Sequence, residues 1–113
     1  MSDVIGFEVI TLRPGDSAIP YSFEASPASS QSANDGAIPY GTSVSGAVVT
    51  CFKNGVAVTD VIEGSDVSNN IIQVQLNYPD TNKGGKYELR FALTLDTGAV
   101  INKRFDELYA EED

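Results

Sequence analysis

The chain contains no histidine and no tryptophan, and Cys51 is its only cysteine. Without histidine, the commonest general base and the commonest metal ligand are both missing. Nucleophilic catalysis would then need a lysine or carboxylate beside Ser, Thr or Cys, and no spacing in the chain marks one out. A single cysteine excludes an intramolecular disulfide, so the fold must hold by packing alone. Between Thr50 and Phe52, in a strand-like run, Cys51 reads as a small buried apolar residue. No apolar run approaches the roughly 20 residues that a bilayer-spanning helix needs. Residues 1–8 have no basic leader and carry acids within their apolar stretch, which is unlike a secretory signal and predicts synthesis in a cytoplasm.

Positive charge is scarce as well. The net charge is −9, which argues against nucleic acid as a partner, because phosphate binding depends on clustered cations. The scarcity is uneven. Residues 1–82 hold nine acids and only two bases, Arg13 and Lys53. Residues 83–105 hold five bases (Lys83, Lys86, Arg90, Lys103 and Arg104) against Glu88 and Asp96, and residues 106–113 add five acids and no base. Either the bases belong to an ordinary solvated strand face, or they form a patch for an acidic partner, a second copy of the chain included.

What is present reads as a small globular domain: 113 residues, 42% of them hydrophobic, enough for one core. Tyr87, Leu89, Phe91, Leu93 and Leu95 alternate with polar or small residues, the period-two pattern of a half-buried strand. Asp96-Thr97-Gly98 turns the chain, and residues 99–105 run back. That register sets Leu89 opposite Phe105 and Phe91 opposite Lys103 on the inner face, where Lys103 either snorkels at the rim or is moved outward by a bulge. On the outer face it sets Arg90 opposite Arg104 and Glu88 opposite Asp106, with Arg90–Asp106 and Glu88–Arg104 as favourable diagonals.

Earlier strands are expected at residues 4–12, 17–25, 44–52, 56–62 and 71–78. Pro20 places the second at an edge or a bulge, and Asn54-Gly55 marks a hairpin. Val48, Val74 and Leu76 join the hairpin residues as the expected core. Residues 63–70 read as a polar loop, and a turn within residues 106–112 is the only helix candidate. Residues 26–41 are rich in Ser, Ala, Asn and Gly, with little to bury. They form either a flexible loop or a docking arm, with Asn34 and Asp35 near its centre as candidate contacts. Asp60, Glu63 and Asp66 could offer oxygens to a cation, but their spacing fits no recognised calcium loop. No metal, cofactor or catalytic residue is therefore assigned.

Seven strands, sandwich-like turn spacing and no 3.6-residue pattern predict an all-β, immunoglobulin-like antiparallel β-sandwich over residues 1–108, followed by an acidic tail, 109–113. Tyr87, just after Gly84-Gly85, sits where such sandwiches carry a tyrosine whose hydroxyl bonds upstream backbone. Three stretches go further: Arg13-Pro14-Gly15-Asp16-Ser17; Val44-Ser45-Gly46-Ala47-Val48-Val49-Thr50; and Gly85-Lys86-Tyr87-Glu88-Leu89-Arg90-Phe91 with Thr94-Leu95-Asp96-Thr97-Gly98 and Phe105. Together they resemble small immunoglobulin-like virion proteins of tailed bacteriophages, the fibre–tail adaptors and accessory head and tail proteins. Two features depart from that pattern: the length of residues 26–41 and the acidic end after Leu108.

The resemblance implies a non-enzymatic structural component made in the host cytoplasm and carried in the virion. It would dock in several copies, or as a symmetric homo-oligomer, on tail, neck, fibre or capsid proteins. Nucleic acid and membrane are not expected partners. Lys86, Arg90, Arg104, Asn34 and Asp35 are the candidate partner-binding residues. A carbohydrate- or cell-surface-binding module is the alternative.

Overall fold

The computed structural model describes residues 4–6 and 8–112, and among them there is no helix. Eight strands form: β1 (Ile10–Leu12), β2 (Ile19–Glu24), β3 (Val44–Lys53), β4 (Val56–Val58), β5 (Ile62–Ser68), β6 (Ile71–Leu76), β7 (Gly85–Leu95) and β8 (Val100–Ala110). They make a five-stranded sheet, ordered β1-β8-β7-β3-β4, and a three-stranded sheet, ordered β2-β6-β5. The chain is all-β, with two sheets enclosing a common core.

The final hairpin has the expected inner register. Leu89 faces Phe105, Phe91 faces Lys103 and Leu93 faces Ile101. Gly98, at φ +90°, closes the turn through Gly98 N–H to Leu95 O at 2.9 Å. Asn54 and Gly55 both take positive φ, which suits the right-handed twist of the two strands they join. Pro20 lies on an edge strand, because β2 pairs only with β6. Ile72, Val74, Leu76 and Tyr78 all point inward, as their alternation predicts.

Several expectations need correction. The pairs are antiparallel except β1–β8, which is parallel, Ile10 to Leu12 lying beside Leu108 to Ala110. Of the described residues of the expected first strand, only these three form a ladder. Val4 makes a separate parallel bridge to Arg104, and the two contacts are out of step because the chain advances six residues from Val4 to Ile10 while β8 advances four from Arg104 to Leu108. The expected strand 56–62 is two elements in different sheets, β4 and β5, joined where residues 59–61 cross the sandwich.

Residues 63–68 are a strand and not a loop. Ser65, Asp66 and Val67 pair with Val74, Gln73 and Ile72. An edge strand with little to bury has no apolar alternation to betray it. The end of the chain continues β8 to Ala110, with Leu108 and Ala110 buried, so residues 109–110 belong to the sheet and the helical turn does not form.

Lys103 stays on the inner face, only 4% exposed. The β8 bulge falls after it, at Asp106 and Glu107, and does not turn it outward. Cys51 is buried, and burial, with the nearby Asp60 charge, pushes its thiol up to about 12. A thiol held neutral and covered should resist alkylation until the protein unfolds. Labelling with a chromogenic disulfide reagent checks this: a free-thiol rate in native buffer would contradict the packing described.

Residues 26–41 do not run as an open excursion. Ala28 N–H bonds Ile38 O at 2.9 Å, Ala37 N–H bonds Ser26 O at 2.8 Å, and Ile38 is fully buried. The expectation of little to bury missed one isoleucine, and that side chain anchors the loop.

Candidate functional site

A one-residue irregularity in β3 sets the site. Val44 faces Leu95 on the inner side, but the next pair is Gly46 with Thr94, so Ser45 is an inserted residue. Its hydroxyl donates to Thr94 O at 3.1 Å. The bulge reverses the parity of everything after it. Ala47, Val49 and Cys51 therefore turn toward the core, while Val48, Thr50 and Phe52 line the outer face. Val48, expected in the core, is 67% exposed.

Three adjacent strands present this face in register. Val48, Ala92 and Asn102 form one row, Thr50, Arg90 and Arg104 the next, and Phe52 lies beside Glu88. Together they border an open depression of about 820 Å³. Val100, 59% exposed, extends its apolar part.

Arg90 does not pair diagonally with Asp106. Its Nε donates to Glu88 Oε1 at 2.6 Å, two residues away on its own strand, and its guanidinium lies 3.8 Å from the Phe52 ring centroid. The reason is the β8 bulge opposite Glu88, which shifts Asp106 out of the simple register. Arg104, directly opposite Arg90, has no ion-pair partner among the described residues. Lys86 shares the outer face, its ammonium 5.8 Å from the ring centroid of Tyr109.

The structure thus brings Lys86, Arg90 and Arg104 onto one surface and leaves Asn34 and Asp35 in the β2–β3 connection. Asp35 acts as a loop staple. Ser29 N–H donates to its Oδ1 at 3.0 Å and the Ser29 hydroxyl to its Oδ2 at 2.7 Å, and these bonds hold its carboxyl below the ordinary value of 3.8. Asn34 lines a separate cleft of about 280 Å³ with Gln31, Pro39 and Tyr40. Phe52 and Val48 were missed as surface residues. Counting back by twos from the Asn54-Gly55 hairpin would have grouped them with Thr50.

The acids considered for a cation point to separate tasks. Glu63 accepts from Asn77 Nδ2 at 3.1 Å, and Asp66 from Val67 N–H at 2.9 Å. Asp60 organises the corner before β7. Burial opposes its charge, but Asn82 Nδ2 at 2.7 Å, with Asn82 N–H and Thr81 N–H each at 3.0 Å, outweighs burial and keeps its carboxyl below 3.8. Lys53 Nζ donates to the carbonyls of Asn82 and Gly84 in the same corner, and the Tyr87 hydroxyl donates to Lys83 O.

Both lowered carboxylates make stability depend on pH with a defined sign. Their contribution is full above the ordinary carboxyl value of 3.8 and is lost as pH falls below it, through the lower folded-state values. Thermal melts should therefore soften below a pH of about 4, and Asp60→Asn should flatten part of that slope. An unchanged slope in the variant would remove Asp60 from the account.

No protein-family model matches the chain, and no curated protein matches it by sequence.

Proposed function

We propose that this chain is an immunoglobulin-like β-sandwich serving as a non-enzymatic structural component of a tailed-phage virion. It acts as an accessory adaptor or decoration protein that docks on neighbouring virion proteins in several copies. The observation that carries the reading is the outer face of the five-stranded sheet. An exposed valine, an arginine stacked on an aromatic ring and a second arginine beside it form a semi-apolar, cation-bearing surface suited to protein contact. The partition into β1-β8-β7-β3-β4 and β2-β6-β5, with the Tyr87 hydroxyl bonded four residues upstream, supports the immunoglobulin-like assignment.

Mass spectrometry of purified particles tests the reading directly, since a structural component co-purifies at fixed copy number. Arg90→Glu with Arg104→Glu should reduce incorporation while leaving the fold, read by circular dichroism, intact, because both residues are exposed. Normal incorporation of that variant at low salt would make the face an ordinary solvated surface.

The carbohydrate-binding alternative draws on one observation: Tyr40 is 53% exposed and borders the Asn34 and Gln31 cleft. Aromatic and amide groups together suit a neutral, hydroxyl-rich ligand. Binding to immobilised glycans that is abolished by Tyr40→Ala would favour it.

A further inference from the structure

The two sheets differ in charge. The strands of the five-stranded sheet carry five of the chain's seven bases (Lys53, Lys86, Arg90, Lys103 and Arg104, of which Lys103 is on the inner face) against three acids, Glu88, Asp106 and Glu107. The strands of the three-stranded sheet carry no base at all and hold Glu24, Glu63 and Asp66. On its outward side Asp66 aligns with Gln73 and Ser22, and Glu24 with Ile71 and Ser68. Both acids are exposed, and Ile71 is exposed beside Glu24. One side of the sandwich thus offers arginines with apolar neighbours, and the other offers carboxylates around an exposed isoleucine.

The cationic side is also left incomplete within one copy. Arg90 and Arg104 are directly opposed, an unfavourable like-charge pair; Glu88 is bonded to Arg90, and Asp106, which borders the same face beside Lys86 and Glu88, forms no ion pair with Arg104. A carboxylate brought in from outside would meet Arg104 and relieve the pair.

We propose that the occupant of this face is a second copy of the chain, which presents the outer side of its three-stranded sheet, with Asp66 and Glu24 set toward Arg104 and Arg90. This rests on the reading of the five-stranded outer face as a docking surface, and names what docks there. A symmetric contact of cationic face on cationic face would oppose arginines, and one of acidic face on acidic face would oppose carboxylates, so the complementary contact is heterologous. The two faces lie on opposite sides of the same sandwich. Each added copy leaves one face of each kind unused, so the assembly grows as an open filament, or as a ring where the rotation between copies closes.

Charge swapping tests this with the whole chain. Sedimentation velocity of the wild type should show association beyond a dimer that strengthens with protein concentration and weakens at least roughly tenfold between about 50 mM and about 500 mM salt. Arg104→Glu alone, and Glu24→Lys with Asp66→Lys alone, should each stay monomeric with unchanged circular dichroism. An equimolar mixture of the two variants should associate again, because each then offers the face the other lacks. A wild type that stays monomeric at about 0.5 mM in low salt, a wild-type dimer that does not grow, or a mixture that stays monomeric would each overturn the proposal. Copies found in purified particles despite such a failure would leave the docking role standing and give the face a different partner.

Discussion

Phe23→Ala should lower unfolding free energy by about 3–5 kcal/mol, a large part of what a domain of this size possesses. Phe23 is buried on the inner side of β2, in the three-stranded sheet. Its ring centroid lies 5.1 Å from both Phe91 and Phe105, which come from β7 and β8 of the other sheet, at interplanar angles of 57° and 60°. Tilted aromatic pairs at this spacing contribute about 0.5–1.5 kcal/mol beyond their buried area.

β2 is an edge strand with a single neighbour, and Phe23 is its one fully buried residue. Phe91→Ala, removing one ring from the opposite side, should fall in the same range of about 3–5 kcal/mol. Phe52→Ala is the control: it removes the same side chain from the outer face and should cost well under that, about 1 kcal/mol. Urea denaturation of the three variants decides the matter. A Phe23 variant as stable as the Phe52 variant would contradict the inter-sheet packing.

Gly36→Val should open the β2–β3 connection. A Cβ at position 36 would stand 2.1 Å from Ala28 N, and 2.5 Å from both Ala28 Cα and Pro27 C. All three are backbone atoms, which cannot rotate away as a side-chain end would. Opening would release the Ala28–Ile38 and Ala37–Ser26 hydrogen bonds and expose Ile38. Losing that burial and those bonds should cost about 2–4 kcal/mol in total.

Limited proteolysis gives the local readout, with cleavage within residues 26–41 accelerated in the variant far more than global unfolding explains. Gly46→Ala, where an added Cβ meets nothing within 4 Å, serves as the comparison. Equal cleavage in the two variants would mean that Gly36 is not the pinch point of the loop.

The final hairpin was legible because three independent signals agreed: strict alternation in β7, a three-residue turn ending in glycine, and a return strand whose aromatic falls opposite Leu89. The inner face of β6 was legible for the same reason, its apolar residues recurring every second position. β5 was not, since a strand whose residues are mostly exposed has no reason to alternate, and its pairing partner lies in another part of the chain. The candidate face was half legible. Arg90, Arg104 and Lys86 share a surface in the register that the three-residue turn sets, but their apolar companions on β3 did not follow from it.

The amino-acid sequence by itself determined the all-β character, the hairpins at residues 54–55 and 96–98, and the core residues of β6 and β7 with Phe105 of β8, because each depends on local periodicity and turn chemistry alone. Only the tertiary structure decided which side Val48 and Phe52 face, where Asp106 lies and which carboxylate Arg90 takes. Those outcomes hang on two single-residue bulges, at Ser45 and after Phe105. A bulge exchanges one ladder position for an inward or outward choice of every later side chain. The balance behind that choice is struck between strands distant in sequence, so no local pattern records it.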